Sequence, residues 1–389
     1  MPASRLRSLP IPGLAESLQP GVFKAVSGSD VVYVGGYECL TYMAALVLGR
    51  VLQKRVVLFF DGVAPSRLHR RGPKEWLKRI LVRLPHMCLV NGSVAEQYFL
   101  RDLGLSAERV RNQWLVPVRP TLERRDQPRL GVIYVGRLID RKRVSDLLDA
   151  MRLLPDLDLT VVGDGELRAE LEIRGQGLPV RWLGELDRPE IDDLIASAQC
   201  LVLPSVDEPW GLVVHEAIQL GTPVVVSDDV ASGYDLVVPG GNGYVFRAKD
   251  VPDLAAKIRD ALQLNLQSVD DCSMKVLSTW NLENHVDAFL DAASAQPSQH
   301  ASAVLVLQVA VPGYRTDFFD ALRERLPSLV LAAGDRYFDP TVATDPDRAH
   351  LDVMLRNRFV LGRRLVWMSG ARRLLRSADM AVVELNTAT

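Results

Sequence analysis

The segment LPSVDEPWGLVVHEAIQLGTPVVVSD, residues 203–228, sets two carboxylates, Glu208 and Glu216, around a glycine that opens a helical pattern. An apolar run ends at Pro204, a loop carries Glu208, Gly211 starts the helix and Glu216 falls early on it. The N–H groups of Gly211, Leu212 and Val213 at such a start lack intrahelical acceptors and can receive a phosphate, which glycine lets approach the backbone closely. The flanking carboxylates can accept hydrogen bonds from sugar and ribose hydroxyls. Upstream, YVGRLIDRK places Arg137 and Lys142 just beyond another apolar run. Two cations converging on one cleft would neutralise a diphosphate leaving group, and one such donor in a water-poor site contributes about 3–4 kcal/mol to the transition state. Together these residues suit a nucleotide-sugar site at the carboxyl edge of a parallel sheet. Singly they carry little, since surface Arg and Lys and paired Glu are common.

His215 precedes Glu216, but on a helix it points about 100° away from it. It is read as a packed or surface histidine rather than a catalytic one. Gly163 and Gly184 each follow an apolar run, either as walls of a nucleobase pocket or as ordinary strand-to-helix glycines.

These residues need a scaffold. At 389 residues the chain is long for one core and comfortable for two α/β domains with a cleft between them. Between residues 31 and 118, DVVYVGG, RVVLFFDG and HMCLVNG alternate with helical patterns, and parallel neighbours require such crossovers. RPTLERRDQPR, residues 119–129, is the expected hinge. A second alternation runs through LGVIYVGRL, DLTVVGDGE, PVRWLGEL, QCLVLPS and GTPVVVSD and closes with two helices before the linker QPSQHASA. A third begins with VLVLQVAVPGYR at 304–315. The expected units are 1–122, 123–299 and 300–389.

Hydrophobic residues at 48% and charged residues at 24% are typical of a soluble globular enzyme, and neither a spanning helix nor a signal peptide is visible. Cys39, Cys88, Cys200 and Cys272 are scattered without metal spacing and read as reduced residues of a cytoplasmic protein. The net charge of −2 conceals an asymmetry: seven Arg or Lys against one Glu lie in 67–83, and seven Arg without an acid in 356–376. Both segments are read as basic helices. In the first, cations interleaved with Trp76, Leu77, Ile80 and Leu81 suit a helix lying on anionic lipid at the inner face of the plasma membrane, or a solvated face with its apolar side in the core. No nucleic-acid-binding module is recognisable.

GRLIDRK, GDGE, DEPWGLVVHEA and GYDLVVPGGNGYVF, within residues 130–290, resemble the donor domain of retaining glycosyltransferases of family 4, with its E-x7-E element. The resemblance implies an α/β GT-B fold: two doubly wound, Rossmann-like domains facing a cleft. It implies transfer of a sugar from a nucleotide diphosphate sugar with retention of anomeric configuration, with no metal or other cofactor required. By motif match Arg137 and Lys142 would hold the diphosphate, Glu208 the transferred sugar and Glu216 the ribose, with the amides at Gly211 and Leu212 meeting phosphates or sugar. The first half resembles the later part of the family's acceptor domain more loosely, which marks Asp61, Gly62 and Arg67 in FFDGVAPSR as acceptor-side candidates. Asp61 would assist the acceptor hydroxyl or cap a turn. The acceptor implied is a glycan or a lipid-linked sugar.

Family members begin with a strand, a glycine-bearing loop and further strands. Here LVLQVAVPGYR and LVLAAG, near the end of the chain, resemble them, which makes Pro312, Gly313, Tyr314 and Arg315 candidates for the cleft loop. RRLLRSADMAVVELN then matches VFKAVSGSDVVYVGG in register at an offset of about 350 residues, one unit of the fold. Two accounts fit, a circularly permuted enzyme or a segment of a tandem of two transferases. Under either, the expectation is one acceptor domain assembled from both chain ends. A catalytically incomplete nucleotide-sugar-binding scaffold is the competing reading.

Overall fold

The computed structural model describes residues 22–27, 31–34, 40–60, 62–68, 72–112, 117, 131–293, 304–308, 316–326, 329–334, 344, 350–360, 365–369 and 380–384. The apolar runs form short strands: β1 (Val31–Val34), β2 (Arg55–Phe60), β3 (Met87–Val90), β4 (Val110–Asn112), β5 (Val132–Val135), β6 (Leu159–Val162), β7 (Val180–Gly184) and β8 (Cys200–Leu203). The remainder are β9 (Val224–Ser227), β10 (Gly243–Phe246), β11 (Val304–Gln308), β12 (Leu329–Gly334), β13 (Val353–Val360), β14 (Leu365–Ser369) and β15 (Met380–Glu384). Strands such as MCLV and CLVL lack polar alternation because helices cover both faces of a parallel sheet.

The strands form two sheets. One has six strands in the order β10-β9-β8-β5-β6-β7, all parallel. This is the doubly wound arrangement in which β5 and β8 flank the point where strand order reverses, and ligands bind beyond the carboxyl ends there. Its core includes Ile133, Tyr134, Leu147, Leu201, Val202, Val214 and Val225.

The other sheet has nine strands in the order β14-β13-β12-β11-β15-β1-β2-β3-β4, so both chain ends build one domain. β15 lies between β11 and β1 and is parallel to both. Its partners across β1 are Val32↔Ala381, Tyr33↔Val382 and Val34↔Val383, the register in which the two segments match in sequence.

The faces of this sheet alternate with the strand period of two. Val32, Val34, Val56 and Leu58 face a core with Leu46, Phe99 and Leu103. Tyr33, Val57 and Phe59 face the helices Leu282–Ala293 and Thr316–Arg325 through Phe289, Phe318 and Phe319. Tyr33 stacks on Phe289 at 4.4 Å and its hydroxyl donates to the Phe289 carbonyl at 2.8 Å. The helix Leu282–Ala293, placed by sequence in the unit 123–299, thus packs on the other domain.

The basic segment 356–376 is not a helix where it is described. β13 and β14 pair antiparallel at the edge of the sheet, Arg358 opposite Trp367. VMLRNRFV carries its apolar and polar residues in blocks, which give neither a helical nor a strand period, so a count of its charges does not reveal the strand. The first basic segment does carry a helix, Pro73–Leu81. Leu81 alone of its apolar residues is buried, whereas Trp76 is 65%, Leu77 37% and Ile80 41% exposed, so its apolar side is largely outside the core.

Candidate functional site

Two loops meet at the carboxyl ends of β5 and β8. After β5 the chain passes through Gly136 and Arg137 into a tight turn, Asp140–Lys142. After β8 it runs from Ser205 to Trp210. The Val206 amide donates to the Arg141 carbonyl at 2.8 Å and ties the loops together. Glu208 Oε2 then accepts from Lys142 Nζ at 2.5 Å and from Arg141 Nη1 at 3.1 Å. The Glu208 and Lys142 side chains are only 7% and 13% exposed, so each charge depends on the other for compensation.

Of the two cations chosen from the sequence, Lys142 lies on Glu208, whereas Arg137 stands exposed beyond β5. The Arg137 carbonyl accepts from the Tyr134 hydroxyl at 2.9 Å. Burial, reinforced by the nearby Glu208 charge, pushes the Tyr134 pKa upward.

The helix Leu212–Gln219 begins at Gly211, whose φ of 85° is left-handed. A Cβ there would lie 2.8 Å from Leu203 Cδ2, so glycine both makes the turn and lets the helix start approach β8. Leu212 and Val213 supply the first helical amides, which helix geometry leaves free of intrahelical acceptors. Glu216 is buried on this helix and accepts from Arg188 Nη1 at 3.0 Å. His215 is fully buried on the same helix. Burial lowers its pKa to about 4, with the Trp280 backbone opposing the shift, so it is a neutral packing residue.

Gly163 follows β6 and Gly184 ends β7 on the same edge. The Gly163 amide donates to the Gly184 carbonyl at 2.7 Å, and a Cβ on Gly163 would come within 2.1 Å of the Gly136 carbonyl oxygen. Gly163 is thus required for the close approach of two loops at this edge.

The other domain meets the Glu208 loop directly. The backbone of Gly62 lies against Pro209, whose oxygen would be 2.5 Å from a Cβ at that position. Arg67 forms an ion pair with Asp207 through two hydrogen bonds. Asp229, just after β9, accepts from the Ser66 amide at 2.8 Å and from the Asp207 amide at 2.6 Å. Gly92 packs against Trp210, and the Ser93 amide donates to Asp235 Oδ2 at 2.9 Å. Burial raises the Asp235 pKa, with the Ser93 hydrogen bonds opposing. Asp61, Pro312, Gly313, Tyr314 and Arg315 lie outside the described residues.

Sequence reasoning passed over Arg141, Arg188, Asp207, Trp210, Asp229 and Asp235. Arg188, Asp207 and Asp229 follow the carboxyl end of a strand by four residues or fewer, a position that could have marked them. Among the described residues no cluster of three or more His, Cys, Asp or Glu is arranged to hold a metal ion.

Two doubly wound α/β domains whose strand-end loops meet across a cleft define the GT-B fold. Residues 122–275, which include Arg137, Lys142, Glu208 and Glu216, match the family model described as glycosyl transferases group 1. The chain is similar to the sulfoquinovosyl transferase SQD2 of Arabidopsis thaliana, with 27% identity over 289 residues, 66% of this chain and 56% of that protein. It is also similar to the GDP-mannose-dependent alpha-(1-6)-phosphatidylinositol dimannoside mannosyltransferase of Mycobacterium tuberculosis, 35% identical over 124 residues, 31% of this chain and 30% of that protein. The chain therefore spans about half or less of the length of these curated relatives. Among solved structures, Anabaena HepE in complex with UDP superposes with a TM-score of 0.57 at 17% identity, covering 71% of this chain and 81% of that one.

Proposed function

We propose that the protein is a retaining glycosyltransferase that moves a sugar from a nucleotide diphosphate sugar to a glycan or lipid-linked acceptor without a metal. The observation that carries this reading is the buried Glu208 held by two cations at the strand-order reversal of the donor-side sheet. The group 1 match over the same residues supports it, as do the activities of the two relatives, one of which is a phosphatidylinositol dimannoside mannosyltransferase.

In this reading Arg137, Lys142 and the amides of Gly211–Val213 hold the diphosphate, Glu216 accepts from the ribose and Glu208 from the transferred sugar. As the anomeric bond breaks, its electron pair moves onto the diphosphate, where fixed cations stabilise the growing charge without reorganisation. Lys142 has two claimants, Glu208 and the diphosphate. Donor binding draws it toward phosphate and leaves Glu208 able to accept from sugar hydroxyls. Gly163 and Gly184 line the base side of the site, and Gly62 with Arg67 the acceptor side.

The exposed Trp76, Leu77 and Ile80 beside Lys78 and Arg79 support placement on an anionic membrane surface, with the acceptor in or near the lipid. No helix among the described residues is long and apolar enough to cross a membrane. The proposed location is the cytoplasmic face of the plasma membrane, and the sequence repeat is read as one unit of a permuted or tandem transferase.

The test is turnover of UDP-glucose, GDP-mannose and ADP-glucose by the wild type and Glu208→Ala, with the product's anomeric configuration read by NMR and the assay repeated with EDTA. Loss of turnover in the variant, retention and indifference to EDTA are expected. Equal turnover in both proteins would remove Glu208 from the site. UDP binding without turnover of any donor would favour the scaffold reading.

A further inference from the structure

We propose that Asp229 and the Arg67–Asp207 ion pair position Glu208, by carrying the contact between the two domains onto the loop that holds it. The proposal rests on the reading of Glu208 given above. Asp207, next to Glu208, has φ 53°, a left-handed conformation that a non-glycine residue keeps only when its surroundings hold it. Two carboxylates supply that hold. Asp229 accepts the Asp207 amide at 2.6 Å, while the Asp207 side chain is gripped by Arg67 of the other domain. The same Asp229 carboxylate accepts the Ser66 amide at 2.8 Å, so one side chain joins the acceptor-side loop to the Glu208 loop.

The backbone of Glu208 is fastened to the same segment. Its amide donates to the Asp229 carbonyl at 3.2 Å, and its carbonyl accepts from the Ala231 amide at 3.1 Å. Gly62 closes the arrangement by lying on Pro209. When the domains separate, Arg67, Ser66 and Gly62 leave together. Asp207 then loses its ion pair and Asp229 one of its two backbone donors, and the left-handed turn before Glu208 is free to relax. Contact between the domains is thereby read out as the position of one carboxylate.

A purely structural role predicts something different. Arg67 and Asp207 are 47% and 30% exposed, and an ion pair so open to water contributes little to stability. Its removal should therefore spare folding and affect the placement of Glu208.

The experiment compares wild type, R67M, R67K, D207N and R67M/D207N. Hydrogen exchange is read in peptides spanning 205–211 and 62–68, and kcat and KM are measured with whichever of UDP-glucose, GDP-mannose and ADP-glucose turns over fastest. R67M is expected to raise exchange in both peptides with the melting temperature unchanged. It should lower kcat about tenfold with KM for the donor nearly constant, since misplacement of a reacting group acts on the transition state. The double variant should be no worse than the poorer single one, and R67K should recover part of the loss. Wild-type exchange at 205–211 in R67M, or multiplying losses in the double variant, would overturn the proposal. If Glu208→Ala turns over normally, it is the reading of Glu208 that fails, and the exchange data still decide whether the two domains communicate through this loop.

Discussion

Replacing Lys142 with Met removes the nearer of the two cations on Glu208. In the wild type Glu208 Oε2 lies 2.5 Å from Lys142 Nζ and 3.1 Å from Arg141 Nη1, with the three side chains 7%, 13% and 39% exposed. Breaking a buried ion pair by removing one partner costs about 3–5 kcal/mol, because the other charge is left uncompensated. Arg141 remains, but water screens it, and it returns only about 1 kcal/mol. The net loss is about 2–4 kcal/mol. At about 2–4 °C per kcal/mol for domains of this size, the melting midpoint should fall by about 4–16 °C. The diagnostic comparison is K142M/E208Q, in which the stranded charge is gone. It should melt above K142M, an ordering that lost packing alone does not produce. UDP binding by calorimetry should weaken about 10–100-fold in K142M, as expected for loss of a charge-assisted contact of about 1.5–3 kcal/mol. Because in the proposed reading Lys142 leaves Glu208 to reach phosphate, the wild type gives up that ion pair on binding, and the weakening should lie toward the tenfold end of that range. A K142M/E208Q protein melting no higher than K142M, or UDP bound by K142M as tightly as by wild type, would refute the reasoning.

His215 gives a pH prediction: its folded pKa of about 4 lies below the ordinary value of 6.5, so the unfolded chain binds the proton more readily. Its contribution to stability is complete above pH 6.5 and is lost as pH falls toward 4. Between pH 7 and pH 5 the loss is about 2 kcal/mol, and denaturant titrations of His215→Leu should show that much less pH dependence than wild type. On the exposed helix, Trp76→Glu and Ile80→Glu should reduce co-sedimentation with phosphatidylglycerol vesicles severalfold and leave UDP affinity unchanged, whereas equal partition of wild type and variants would exclude the lipid-facing role.

The half built on the six-stranded sheet was legible because each of its signals is local. An apolar run, a glycine and a polar residue at the strand end suffice to place Lys142, Glu208 and Gly211, since the topology sends every strand's carboxyl end to one edge. Arg141 was missed because adjacent Arg141 and Lys142 look equivalent in sequence, and only the tight turn at Asp140–Lys142 brings both onto Glu208. Asp207 and Asp229 were missed for another reason. Their partners, Ser66 and Arg67, lie far away in sequence and belong to the other domain, and no periodicity encodes such a pairing. The strand pair β13 and β14 was hidden by its charge, which drew the reading toward a surface helix, and the blocks of apolar and polar residues in VMLRNRFV offered no period to correct it.

The joining of the chain ends is more than strand pairing, because the two ends share a core. Leu329 and Leu331 of β12 and Phe318, Phe319 and Leu322 of the helix Thr316–Arg325 belong to the same buried cluster as Tyr33 and Phe59 of β1 and β2. Phe289 sits between them, 4.4 Å from Tyr33 and 5.5 Å from Phe318. Each such side chain contributes about 1.5–3 kcal/mol when fully buried, so the late segment adds to the stability of this face of β1 and β2, in part through Phe289. β2 leads directly into Gly62, Ser66 and Arg67, the residues that reach Pro209, Asp229 and Asp207 beside Glu208. The late segment therefore supports the proposed catalytic loop through the sheet, by fixing the strand from which the contact between the domains is made.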